Sequence, residues 1–553
     1  MGCCSCCAKC CLCSVCVPVL AAAVLLATVP AFYLSYDNYW KPWGEEQLKH
    51  APPLPDVSKL SCGDCAGINL EYPISGISSN YSQFQVYLMN EGGRLASAFT
   101  ATGVSLGGAS VILTSLSAML SASAMSMASY GGGFEMFLMI NQGQFITQLG
   151  SLNLGGMPQF FLEFCKRFAW TNLMVFPPEK LHTRSNTTMR MLLDTSPDAT
   201  VKGVDRYAQA LGVNADHLFY YTIAALWVVV ALVFVIYLIG KLVITKLLQP
   251  EDDEVTQELQ QRVVWATIQL LLVMQFAIAM TSWFQINYSI QTHSARFGLA
   301  LAVIVFAVSC VGVVAFGVVK IAQNKQELYD LGSAEHEQKP FHRTYGAYYA
   351  DFTRENRYFF VAKIGLDIAS GAVVGAVKDV RYQIAALVAL NAIYVLLLVI
   401  RKPYLVPFFL QMSVITGYLK VVMLLLALVQ ARPDVFPQRV RDLVAVVIIG
   451  VNGLMFVCLL LRQLYVVVGV VYKWCTNKKG EEDDGIPLQE RPQRPQPQLD
   501  EFNELESDLG PETPPFDGTP PSTAAYHNDH GTFNGVGGSA SKDRNSGTMW
   551  ARV

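Results

Sequence analysis

Nine stretches of this chain are apolar over lengths that match the hydrocarbon core of a bilayer, about 20 residues each. They run near residues 17–35, 97–125, 217–244, 262–286, 296–320, 358–377, 382–400, 406–430 and 440–472. In lipid every backbone polar group must be satisfied internally, so so many spans exclude open sheets and leave an all-α polytopic membrane protein. Charge agrees with this, since only 15% of the 553 residues are Asp, Glu, Lys or Arg. A soluble protein carries about a quarter. The net charge of −3 supplies no basic footprint for nucleic acid.

A tenth stretch, residues 134–155, is too polar at Glu135, Asn141, Gln142, Gln144 and Gln148 for hydropathy alone to decide. Topology decides it. The sequons at Asn80, Asn186 and Asn287 need the luminal or extracellular side if they are glycosylated, and all three share a side only when 134–155 crosses. The sequence therefore predicts ten spans with both termini in the cytosol. The positive-inside rule agrees, placing the basic loop 321–357, Arg401-Lys402 and Lys473, Lys478 and Lys479 inside.

The expected layout begins with a cytosolic Cys-rich segment, 1–16, and a signal anchor or signal peptide, 17–35. A luminal or extracellular segment, 36–96, precedes the membrane domain, 97–472, and a disordered cytosolic tail, 473–553, closes the chain. Of 14 cysteines, eight precede the first span: Cys3, Cys4, Cys6, Cys7, Cys10, Cys11, Cys13 and Cys16. Cysteines just cytosolic of a membrane helix are candidates for palmitoylation. A zinc site is the rival reading, and it lacks both a histidine and well-separated cysteine pairs. Cys62 and Cys65 read as a disulfide staple in the outer segment.

No enzyme constellation emerges. Gly103-Val-Ser105-Leu-Gly107 fits the nucleophile-elbow spacing but lies inside a small-residue span, where it reads as packing. Gly103 with Gly107, and Gly371 with Gly375, are each four apart, which lets membrane helices approach closely. No metal site and no cofactor are expected. In loop 321–357, Tyr345, Tyr348, Tyr349, Phe352 and Tyr358 alternate with Arg343, Arg354 and Arg357, a composition suited to an interfacial helix on the inner headgroups.

The most costly residues are Lys363 and Asp367, one helical turn apart in the span 358–377. Insertion of each near mid-membrane costs roughly 2.5–3.5 kcal/mol, so they point to assembly or to movement of a charged species. At about 1.5 Å per residue, Lys363 lies roughly 8 Å and Asp367 roughly 14 Å above the inner edge. Lysine can snorkel from there; aspartate cannot. Lys420, roughly 21 Å deep on its own span, is the other candidate partner.

The run Tyr358-Phe-Phe-Val-Ala-Lys363-Ile-Gly-Leu-Asp367, the Gln383–Tyr394 stretch, Arg401-Lys-Pro-Tyr404, Gly155-Gly-Met157 and Phe168-Ala-Trp170 resemble the membrane domain of the fungal TRP-like (polycystin-like) ion channels and flavin carriers. The resemblance covers roughly residues 97–472. It implies a multi-pass channel or carrier, linked in that family to calcium homeostasis or to movement of FAD in the secretory pathway. The family's lipid-binding-like β-sandwich has no counterpart of sufficient length in residues 36–96. The reading is then a TRP-like cation channel, calcium-permeable, with Asp367 lining the path and Lys363 and Lys420 tuning its charge. A carrier of FAD or another organic anion is the alternative, with FAD only as transported substrate. A non-transporting scaffold is the second. The bilayer is the first partner; a homo-oligomer and cytosolic proteins that bind the tail are compatible. The membrane is the plasma membrane or an endomembrane of endoplasmic reticulum or vacuole.

Overall fold

The computed structural model describes residues 27–49, 91–120, 132–175, 202–243, 253–292 and 296–480. The eight amino-terminal cysteines, Cys62, Cys65, Asn80, Asn186 and the tail beyond residue 480 lie outside the described residues. Among those described, the chain is helical throughout and no strand forms; Phe352 and Tyr404 make an isolated antiparallel bridge.

Residues 27–35 run helically through a π-turn, Tyr36–Trp40, into α1, Lys41–Lys49. Then follow α2, Gly93–Leu120; α3, Gly132–Gly150; two short helices, α4, Gln159–Lys166, and α5, Gly203–Ala210; and α6, Leu218–Val243. The helices α7, Asp253–Val273, and α8, Gln275–Thr292, meet at a bend of 51°. Next, α9, Arg296–Val305, continues through a π-helical stretch, Phe306–Gly312, into α10, Val313–Gln323. Two short helices, α11, Ala334–Gln338, and α12, Pro340–Tyr345, lead to α13, Phe359–Ala376; α14, Val380–Arg401; α15, Pro407–Ala431; and the long α16, Gln438–Gly480.

Among the described residues, six helical segments are long and apolar enough to cross a bilayer, and the bent α7–α8 pair, counted as one span, makes a seventh. The predicted boundaries of the later spans agree with these to within a few residues, because caps mark them. Asp379 accepts from the Arg381 amide at 2.8 Å to start α14. Lys402, left-handed at φ 45°, ends α14 just before Pro403, and Pro407 opens α15.

The polar tenth stretch is α3, and it lies at the centre of the molecule. Glu135, Gln142, Gln144 and Gln148 are all buried. Gln144 of α3, and Gln275 of α8, satisfy backbone that irregular neighbours leave open. Gln144 donates to Val273 O, at the α7–α8 break, at 2.9 Å, and to Thr171 O at 3.2 Å. Gln275 donates to Leu271 O at 2.8 Å and reaches Ser309 O in the π-helical stretch at 2.9 Å. Non-helical backbone at membrane depth is tolerated where protein groups re-satisfy it. Low hydropathy in α3 is thus the signature of an interior helix.

The predicted Gly371 and Gly375 face is the contact between α13 and α8. A Cβ on Gly371 would lie 2.5 Å from Phe276 O, and one on Gly375 2.4 Å from Met280 O. Asn287 closes the same joint, donating to Gly375 O and Ala376 O at 3.2 and 3.3 Å. Gly103 meets Met139 of α3. The Gly155–Met157 and Phe168–Trp170 patches form a buried module beside α5, where Arg206 donates to Leu154 O at 2.7 Å and Leu152 O at 3.2 Å. The amino-terminal helix is docked too, with Thr28 Oγ1 and Tyr418 Oη 3.3 Å apart and the rings of Tyr36 and Phe436 separated by 6.0 Å.

Segment 325–357 departs from the expected interfacial helix. It is a succession of short turns and the helices α11 and α12. Tyr348, Tyr349 and Phe352 are buried in protein, so they anchor the segment to the bundle and not to headgroups. Glu258 of α7 holds it, 3.3 Å from Arg343 and 3.7 Å from Arg262. Here the His342 ring is driven from the ordinary 6.5 to about 3 by burial, and then by His336, Arg262 and Arg343. Unfolding releases a histidine that takes a proton near pH 6.5, so this contribution is whole above that pH and is lost as pH falls towards 3. At pH 5.5 the expected loss is about 1 kcal/mol. Thermal unfolding in detergent at pH 7.5 and 5.5 should show this acid lability in the wild type and a smaller pH effect in His342→Gln. Equal pH effects in both proteins would refute the assignment.

Candidate functional site

Lys363, Asp367 and Lys420 meet at one internal cavity of about 70 Å³, between α3, α13, α14 and α15. Asn141 of α3, Asn391 and Tyr394 of α14, and Ser413 and Thr416 of α15 complete its polar lining. A smaller cavity of about 20 Å³ shares Asn141, Asp367, Asn391 and Lys420 and extends to Gln144, Gln148 and Ser370. By depth along their helices Lys420 lies within range of Asp367. The structure places both on the same cavity wall.

Lys420 and then Lys363 act on the Asp367 carboxylate, and Asn141 lines the same cavities. Among the described residues, neither lysine comes close enough to Asp367 to form a direct ion pair. Lys420 Nζ instead donates to Asn141 Oδ1 and lies 5.3 Å from the centre of the Phe145 ring. Lys363 faces Tyr404, Asp351 and Asp367. The Tyr404 side chain is hydrogen-bonded to that of Tyr394. Thr416 Oγ1 on the larger cavity and Gln148 Nε2 on the smaller one are buried without a protein partner.

Sequence reasoning missed Asp351. It is carried to the cavity by paired loops: Leu405 N donates to Asp351 O at 3.0 Å and Thr353 N to Pro403 O at 2.7 Å. Burial raises the Asp351 carboxyl above its ordinary value, and Lys363 opposes that. No local pattern announces such a residue. Asn141 did leave a signal, since an amide in mid-span has to find a partner. Phe134, Phe137, Leu138 and Leu366 make up an apolar wall, and the polar wall offers carboxylate, amide and hydroxyl oxygens, which suit hard cations, with two ammonium groups balancing two carboxylates.

A family model for transient receptor potential (TRP) ion channels matches residues 177–484, which include Asp351, Lys363, Asp367 and Lys420. The chain belongs to the TRP ion channel family. No curated protein and no solved structure matches it. The family is one of channels and not of enzymes, so this TRP-family protein is an integral membrane cation channel in general class. Three amides of the cavity lining, Asn141, Gln144 and Gln148, stand on α3, ahead of the matched region.

Proposed function

We propose that this TRP-family channel conducts calcium and that Asp367 is the acidic residue with which the permeating ion interacts. The observation that carries the reading is the cavity around Asp367, whose polar wall includes Asp351, Asn391 and Thr416. Lys363 and Lys420 act as counter-ions that balance the cavity's two carboxylates from a distance and leave Asp367 open to a cation. Both flank the carboxylate without contacting it, so an arriving cation breaks no tight ion pair. Ten spans, cytosolic termini and use of Asn80 and Asn186 as glycosylation sites belong to the same proposal, whereas Asn287 has its Nδ2 committed to Gly375 O and Ala376 O and is left out of it. So do palmitoylation of the amino-terminal cysteines and the Cys62–Cys65 disulfide.

Movement of FAD fits this geometry less well. Pockets for ligands of drug size span about 300–1,000 Å³, several times the cavity of about 70 Å³. The test is flux into proteoliposomes with calcium and FAD assayed side by side, wild type against Asp367→Asn. We expect calcium flux in the wild type and a loss of about tenfold in the variant, the scale of one charge at close range in a partly polar site. Unchanged calcium flux in a folded Asp367→Asn protein would reject Asp367 as the ion's partner. FAD uptake without calcium flux would replace the channel reading with the carrier.

A further inference from the structure

Asn141 holds one partner of the charge pair that lines the cavity. Its Oδ1 accepts from Lys420 Nζ, and it faces the same cavities as Asp367. An amide can do this because its carbonyl oxygen accepts what the ammonium donates. Phe145, one turn further along α3, lies beside the same ammonium at 5.3 Å. Together they hold Lys420 against α3.

That placement has an electrostatic effect. A lysine free to extend would close on Asp367 in a low-dielectric interior and cancel its field. Held on an amide, it leaves the carboxylate with charge to offer an incoming cation. We infer that Asn141 is the positioning residue that keeps Lys420 from neutralising Asp367, and so sets how strongly the cavity prefers calcium over sodium. This rests on the reading of Asp367 proposed above.

The experiment measures the calcium-to-sodium permeability ratio from reversal potentials of the full-length channel in planar bilayers. Asn141→Ala should lower the ratio roughly tenfold, in the same direction as Asp367→Asn. Asn141→Asp, which still accepts from Lys420 and adds a negative charge, should raise it. Asn141→Gln keeps the amide and should retain most of the wild-type ratio. The decisive variant is Asn141→Ala with Lys420→Gln: with no ammonium left to collapse on Asp367, the ratio should return towards wild type, which a packing defect would not do. Asn141→Ser replaces the alanine variant, alone and with Lys420→Gln, if alanine does not yield a monodisperse protein. A wild-type ratio in Asn141→Ala, with Asp367→Asn altered, overturns the inference and leaves the function standing. So does failure of Lys420→Gln to restore the double variant. If Asp367→Asn itself changes nothing, the reading beneath both has failed.

Discussion

Gly375→Val should abolish recovery of folded channel, whereas Gly365→Ala, on the same helix, should be close to neutral. The two glycines differ in what a side chain would meet. A Cβ at Gly375 falls 2.4 Å from Met280 O and 2.9 Å from Phe284 N, both backbone atoms of α8 that no rotamer change can move. At Gly365 nothing lies within 4 Å. Overpacking a tight interior commonly costs about 1–3 kcal/mol where side chains can yield, and more when backbones must separate. Membrane helices are held together mainly by packing, so moving α8 and α13 apart forfeits the contact itself. It also pulls Asn287 from Gly375 O and Ala376 O. A loss of about 3 kcal/mol or more is a large share of a stability that is only about 5–15 kcal/mol in total for an ordinary domain. Gly371→Leu should behave likewise, its Cβ meeting Phe276 O at 2.5 Å. Size-exclusion profiles of fluorescently tagged variants in detergent report the outcome. A normal monodisperse peak for Gly375→Val would contradict the tight α8–α13 contact.

The glycine pair was legible in the sequence because its information is local: two small residues four apart fall on one helix face whatever that face meets. Asp367 and Lys420 were legible for a similar reason. Depth depends only on residue count along a helix, so two charged residues on different spans can be matched in height before their neighbours are known. Asp351 was not legible, since its position depends on Leu405 and Pro403, about 50 residues away in the chain, pairing with its loop. Likewise the 51° bend at Met274 has no proline or glycine to mark it, and the π-helical turn over Phe306–Gly312 reads as ordinary apolar sequence. Both depend on Gln144 and Gln275 reaching across to open carbonyls, a tertiary event.

The polarity of α3 shows how the same residues can be read twice. On hydropathy, Glu135, Asn141, Gln142, Gln144 and Gln148 weaken a span. In the fold three of them have a partner to serve: Gln144 at the break, Asn141 at the cavity, and Gln142 donating to Asn452 Oδ1 at 2.6 Å. A helix facing lipid could not carry them. An interior helix can, and the count of amides is then a measure of how irregular its neighbours are.

Arg462→Ala should destabilise the channel by about 2–3 kcal/mol, and Glu135→Gln in the same chain should recover most of it. Glu135 is fully buried at the start of α3. Neither carboxylate oxygen has a hydrogen-bond partner, and Arg462 Nε of α16 stands 3.5 Å away. Arg462 is partly exposed and lies against Phe408, its guanidinium 4.7 Å from the ring centre, and against Tyr465 at 5.5 Å. Removing one partner of a buried pair leaves an uncompensated charge and costs about 3–5 kcal/mol; the exposure of the arginine reduces that here. Glu135 keeps one other source of support, the α3 amino terminus, which favours a negative charge in its first turn by roughly 0.3–1 kcal/mol. Neutralising the glutamate removes the buried charge, so the double variant should approach wild-type stability while either charge alone does not. Thermal unfolding of the four proteins in one detergent closes the cycle. If Arg462→Ala and the double variant unfold at the same temperature, Glu135 is not the residue Arg462 serves, and the stacking on Phe408 alone fixes α16 against α15.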